Sequence, residues 1–368
     1  MTGSGMDTAR ATGGSRGGRL PGEAMAWVAG RQSAMAVVAV VLFIFFSLAA
    51  PAFLNAQSLV LVVQQTAFVG MVAVAFTFLM TAGELDLSMG SAYGLASILA
   101  AWLITNAGLD PWVAGALVLG YGVVLGLFNG IVSVVIKVPS FIVTLGMLSF
   151  LRGMALFVSN SYPIQLPADV QSSFFVVTGG DLFGISAQVI WFIGVAVGGF
   201  VLLKYTTYGY HMSATGGNPL ASQEMGINTR VMKVSAFVLV SVMCAVVGLI
   251  QVGWLRNAAP TTGSGFELQV IGAVLIGGTA MSGGEGGVVG SVIGALILGM
   301  ISVGLVLMGL PPESTTIASG AIIVAAGVTD VLIRGRSRVR AARREPEAIA
   351  DEPALSEGNV TGGGTDII

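Results

Sequence analysis

Three short stretches place carboxylates at the edges of apolar runs. Glu84 and Asp86 lie in Gly83-Glu84-Leu85-Asp86-Leu87-Ser88-Met89-Gly90-Ser91. Glu267 lies in Gly263-Ser264-Gly265-Phe266-Glu267-Leu268-Gln269, and Glu285 in Gly283-Gly284-Glu285-Gly286-Gly287. Carboxylates among apolar runs are costly unless solvated, paired or used to hold a cation, a proton or a polar solute. The Glu84–Asp86 turn also reads as a solvated connection in which Asp86 or Ser88 caps the next helix. Glu267 opens a helix, where the backbone dipole favours an anion. Gln64, Gln65 and Asn129 are polar within apolar runs, and Phe141 follows Pro139, which suits the first turn of a new helix. Polar groups so placed either bond helix to helix or line a path for a solute. Gln64, Gln65, Asn129, Phe141 and Glu267 are therefore the candidate pathway residues.

Other chemistries are missing. No Gly is followed by Lys, so there is no phosphate-binding G-x-x-x-x-G-K-[ST] loop. His211 is the only histidine and Cys244 the only cysteine, which excludes a Cys/His metal site and a disulfide scaffold. Gly263-Ser264-Gly265 stops short of a nucleophile elbow. No catalytic residue, metal ligand or bound cofactor is expected.

The elements that must position these residues are membrane helices. Of 368 residues, 55% are apolar and 9% charged, with a mean hydropathy of +0.89. A soluble domain carries roughly 25% charge and could not cover so much apolar surface. Glycine, at 53 residues, is about twice its usual share, as suits closely packed spans. About ten segments approach the roughly 20 apolar residues that a span needs. They lie near 33–54, 57–80, 87–107, 112–136, 139–159, 187–204, 231–255, 267–282, 286–309 and 314–333. The expected fold class is an all-α integral membrane protein. Segment 267–282 is short and 139–159 contains Arg152, so either could be re-entrant or broken.

An even number of spans puts both ends on one side. That side then receives all but Arg152 and Arg256 of the 16 Lys and Arg residues, the pattern of a cytoplasmic face. The expected organisation is a disordered cytoplasmic tail over 1–32, a membrane domain over 33–333 and a cytoplasmic tail over 334–368. The last is basic to Arg344 and acidic beyond. The carboxylate turns at 84–86 and 285 both lead to Gly-Ser at the start of an apolar run, Gly90-Ser91 and Gly290-Ser291. An internal duplication would produce this, and so would chance in a glycine-rich chain. The long loop at about 205–230 on the same side holds a short helix-compatible run that stops at Gly226, a position that suits a left-handed residue or a close backbone approach. It reads equally as a partner-docking helix and as an idle connector.

Taken in order, these stretches resemble the membrane permease subunit of bacterial ABC sugar importers of the ribose/xylose/galactose type. The resemblance rests on Gly83–Ser91, Phe128-Asn129-Gly130, Val138–Gly146 with Arg152-Gly153, Gly216–Asn218 with Ala221 and Gly226–Asn228, Gly263–Leu268, Gly277–Thr279 and Gly283–Gly286. It covers roughly residues 60–333 and departs from the family pattern at Leu220, Ser222, Gln269 and Glu285. It implies an ABC importer permease fold in the bacterial inner membrane. It also implies a homodimer of permease copies, a partner ABC ATPase that uses ATP and Mg, and an extracytoplasmic substrate-binding protein. By the resemblance, the ATPase docks on the loop of Gly216, Gly217, Asn218, Ala221, Gly226, Ile227 and Asn228. The solute is then a monosaccharide or a similar small polar molecule. The alternatives are a secondary transporter driven by an ion gradient and the same importer architecture carrying a non-sugar solute. No nucleic-acid partner is expected.

Overall fold

The computed structural model describes residues 21–182, 184–325 and 327–328. The C-terminal tail over 334–368 and the first 20 residues lie outside them. Helix α1 spans Pro21–Ala49 and so begins inside the segment read as a tail. Pro21 suits a first helical position, and Glu23–Val28 contains good helix formers. A 3₁₀ turn at Pro51–Leu54 leads into α2, Ala56–Thr81. Then come α3 (Met89–Thr105), α4 (Pro111–Gly130, continued by a π turn over Ile131–Val135) and α5 (Ser140–Val158). A peripheral segment holds the short β1 (Ile164–Gln165), α6 (Ser173–Gly179), β2 (Asp181–Leu182) and β3 (Ile185–Ser186). The chain continues through α7 (Ala187–Tyr205), α8 (Thr207–Gly217), α9 (Pro219–Glu224) and α10 (Thr229–Leu255). It closes with β4 (Asn257–Ala258), α11 (Phe266–Ile276), α12 (Val288–Leu307) and α13 (Ser314–Ala325).

Each of the ten expected segments corresponds to an apolar helix, but among the described residues six helices are long and apolar enough to cross a bilayer: α2, α4 with its π turn, α5, α7, α10 and α12. The apolar parts of α1 (from Met35), α3, α11 and α13 are shorter. The segment containing Arg152 is one unbroken helix, whereas α11 at 11 residues rises only about 16 Å.

Helices α2, α10 and α12 form the centre. α10 packs along α4, α3 and α2, and α12 packs against α2 and α11. Phe76, Phe78, Met71 and Phe237 are fully buried there. The outward faces are also apolar, with Leu117, Val124, Phe150, Phe157 and Val197 exposed. Polar contacts run inside instead: Thr77 and Ser291 share a hydrogen bond at 2.7 Å between α2 and α12. Lipid covers such an outer surface, and hydrogen bonds between helices hold such an interior. The chain is a multi-pass membrane protein.

Chain direction separates the two ends. α2, α4 and α7 finish, and α5 and α10 begin, at the end that carries Lys137, Lys204, Arg230 and Lys233, here called the basic end. The opposite end carries Arg256 and the β1–β4 pair, with Ile164 opposite Ala258 and Gln165 opposite Asn257.

Candidate substrate pathway and coupling surface

At the basic end α8 and α9 are separated by Asn218 alone. Its extended backbone (φ −152°, ψ 94°) breaks the helix, and its Oδ1 accepts the Ala221 N–H at 3.1 Å while Pro219 takes the first helical position. α9 closes at Gly226, which has φ +82°. The Ile227 N–H bonds to the Ser222 carbonyl at 3.0 Å and the Gly226 N–H to the Gln223 carbonyl at 2.9 Å. This pair of bonds around a left-handed glycine is a Schellman closure. No atom comes within 4 Å of a Cβ built at Gly226, so its requirement is conformational rather than one of space. Asn228 then caps α10 by accepting the Val231 N–H at 3.2 Å. A helix of six residues, sealed at both ends, thus presents Leu220 (75% exposed), Ala221 and Met225 (82% exposed) outward. Ile227 is half-buried and Ser222 buried. Gly216 turns inward, against Thr81 and Gly284, and the Gly217 backbone also lies against Gly284, unlike the rest of the candidate loop.

The interior contains a break. α10 ends at Arg256 in a left-handed conformation (φ 54°), and after β4 the chain re-enters the bundle without regular structure over 259–265. Gly263 and Gly265, both at positive φ, let it turn into α11. Irregular backbone at membrane depth is tolerated only where protein or a cavity satisfies its polar groups. Arg152, projecting from α5, supplies part of that satisfaction: Nη1 donates to the carbonyls of Pro260 at 3.0 Å and Thr262 at 2.9 Å. Gln251 of α10 reaches Thr262 Oγ1 at 3.5 Å and keeps its own Oε1 buried without a partner. Glu267, half-buried in the first turn of α11, lies against Gly90, where any Cβ would overlap the carboxylate and the Gly263 carbonyl. Arg152 and Glu267 are close enough to act on each other's charge. Tyr93 and Phe266 pack beside them with ring centroids 5.0 Å apart and their planes tilted by 49°. A cation, a carboxylate, an amide and hydroxyls at one break can bind a polar, hydroxyl-rich solute.

Of the five candidate pathway residues, only Glu267 stands at this break. Gln64 is buried on α2 and donates to Ser186 Oγ at 2.9 Å, near the opposite end, while Gln65 is exposed on the outer face. Phe141 is exposed in the first turn of α5. Asn129 is fully buried and donates to Ser88 Oγ at 3.2 Å. The reading of 84–86 as a solvated turn is corrected: Asp86 is 1% exposed, and its Oδ1 accepts the Ser88 N–H at 2.7 Å and the Ser88 hydroxyl at 2.6 Å. Ser88 is the cap residue of α3 but makes no side-chain cap bond. Arg152, Gln251 and Thr262 line the break but were not among the candidate pathway residues. Arg152 carried a signal, as a full charge in the middle of an apolar span.

Comparison with known proteins places this arrangement. The family model described as the branched-chain amino acid transport system / permease component matches residues 58–327, and the chain belongs to that permease family. The ribose import permease protein RbsC of Escherichia coli (strain K12) is 32% identical over 307 residues, covering 83% of this chain and 94% of that protein. RbsC of Bacillus subtilis (strain 168) is 34% identical over 290 residues, covering 79% and 89%. The L-arabinose ABC transporter permease protein AraH of Azospirillum brasilense is 31% identical over 315 residues, covering 85% and 91%. No solved structure matches.

Proposed function

We propose that the chain is the membrane-spanning subunit of an ATP-driven importer that carries a monosaccharide. Relatives named as ribose and L-arabinose permeases, matched across nine-tenths or so of their length, carry this reading. The chain is a transport subunit and not an enzyme. A separate ABC ATPase, using ATP and Mg, seats on α9, and an extracytoplasmic binding protein delivers the sugar to the other end. Two copies pair as a homodimer. The basic end faces the cytoplasm, as the clustering of Lys137, Lys204, Arg230 and Lys233 there supports. Both termini then lie on the cytoplasmic side of the bacterial inner membrane, with tails flanking a domain over 33–333. Asn218, Ala221, Gly226, Ile227 and Asn228 shape the ATPase seat, and Glu267 with Arg152, Gln251 and Thr262 forms the sugar path at the break. ATP binding closes the ATPase pair and shifts the permease between outward and inward access, which is a coupling between distant sites.

The test is reconstitution in proteoliposomes. The chain alone should hydrolyse no ATP. With its ATPase and a loaded binding protein it should take up labelled pentose only when ATP is present. Uptake driven by an ion gradient without the ATPase would overturn the importer reading.

A further inference from the structure

Three chain reversals meet backbone to backbone at the basic end. Thr81 closes α2, and its carbonyl accepts the Gly284 N–H at 2.8 Å. Gly216, in the last turn of α8, lies so near the Thr81 carbonyl and the Gly284 nitrogen that a Cβ there would overlap both. A Cβ on Gly283 would come to 2.9 Å from Gly83 Cα and 3.0 Å from the Gly216 carbonyl oxygen. Gly283 and Gly284 both have positive φ, +80° and +84°. No side chain separates these strands of backbone. A contact of this kind has no rotamers through which to absorb a displacement, unlike a side-chain interface.

The junction sits between the two regions that an importer must connect. On one side, Gly216 is joined through Gly217 and Asn218 to α9. On the other, Gly284 belongs to the turn between α11 and α12, pinned by the Ala280 N–H to the Glu285 carbonyl at 2.9 Å. The near end of α11 is held as tightly, because a Cβ on Gly290 would overlap the Gly277 carbonyl. The far end of α11 carries Glu267 and the break.

We propose that the Gly216–Thr81–Gly284 junction transmits displacement of α9 to the re-entrant helix α11, which makes Gly216 and Gly284 positioning residues for transport. This rests on the importer reading. The junction lets motion imposed at α9 move the Glu267 end of the break. The alternative route runs through α10, which reaches the break by Gln251 and Thr262, and it would leave the nucleotide response of the break intact when the junction is altered.

The test uses the full permease–ATPase complex with Ser264→Cys as reporter. Ser264 is exposed on the re-entrant segment, and the native Cys244 is fully buried. Maleimide labelling at this position should change several-fold between the nucleotide-free and the ATP–vanadate-trapped complex. Gly216→Ala should abolish that change and lower uptake by about tenfold or more, in the range of allosteric couplings, while the ATPase still co-purifies and hydrolyses ATP. Insertion of one glycine between Gly217 and Asn218 loosens the link without overlap and should act alike, so it carries the test if Gly216→Ala fails to assemble. Gly120→Ala, at an exposed position with nothing within 4 Å, should behave as the parent. A parental nucleotide response in either assembled junction variant would overturn the proposal, as would a labelling rate unchanged by trapping in a parent complex with normal uptake. A parent complex without ATP-dependent uptake would instead refute the importer reading.

Discussion

Lys233 Nζ lies 2.7 Å from Glu84 Oε1, tying the start of α10 to the turn that follows α2. Their side chains are 20% and 16% exposed, so the pair is partly withdrawn from water. The bond leaves Glu84 compensated where Asp86, two residues on, relies on Ser88. Glu84→Gln and Lys233→Met should each lower the melting temperature of the purified chain. The double variant should lose less than the sum, with a coupling of about 0.5–3 kcal/mol. Strict additivity would show that the pair contributes no mutual stabilisation.

Arg152→Gln should reduce uptake by about tenfold or more, because the two carbonyls it holds lose charge-assisted bonds worth about 1.5–3 kcal/mol each. Arg152→Lys, a single-point donor without the planar fork, should fall between the two. The check is labelled-sugar uptake alongside thermal stability in detergent. Full uptake by Arg152→Gln would mean that the break holds its shape without this cation.

Asn129→Ala should behave differently. Its amide bonds Ser88, which in turn bonds Asp86. Loss of that buried partner should cost about 1–3 kcal/mol of stability. In the folded fraction the substrate concentration for half-maximal uptake should stay near the parent value, since Asn129 faces a helix contact. A large shift in that concentration without a stability loss would return Asn129 to the pathway.

Leu220→Asp and Met225→Asp should weaken ATPase binding. Both side chains are exposed and make no intramolecular bond that the change would break, so melting temperature should hold. Apolar anchors at an interface centre are worth about 2 kcal/mol or more, which is upwards of tenfold in affinity. Titration of the ATPase against permease in nanodiscs reads this directly. Unchanged affinity in both variants would make α9 a connector rather than a seat.

Gly226 separates backbone strain from crowding. Its φ of +82° disfavours any side chain, but the space around it is open. Gly226→Ala and Gly226→Trp should therefore share a cost of about 1–2 kcal/mol for the left-handed conformation, and Gly226→Asn should cost less. The expected readout is weakened stimulation of ATP hydrolysis by loaded binding protein, in the same order. A Trp effect far beyond that of Ala would locate a partner surface at this residue.

Much of this protein was legible in its residues. Composition alone required a membrane protein, because 55% apolar residues with 9% charge cannot be covered by a polar surface. Apolar run lengths located the six span-length helices to within a few residues, since a bilayer imposes a length on each, whereas α1 starts well before its expected segment and α11 stops short of its own. The capping of α9 and α10 was also local: Asn218, Gly226 and Asn228 act on atoms within five residues of themselves. Tertiary structure alone decided the rest. That Gly216 turns inward while its neighbours Asn218 and Ala221 face out depends on Thr81 and Gly284, which are far away in the chain. That Asp86 is buried depends on the packing of α3 and α4 around it, and a charge in a polar-looking turn gives no sign of this. That Arg152 meets the carbonyls of Pro260 and Thr262 requires α5 and the break to be neighbours, a relation over more than 100 positions that no periodicity encodes. Periodicity and caps record forces acting within a turn or two of helix, whereas a pathway is assembled from side chains that meet only when the bundle closes.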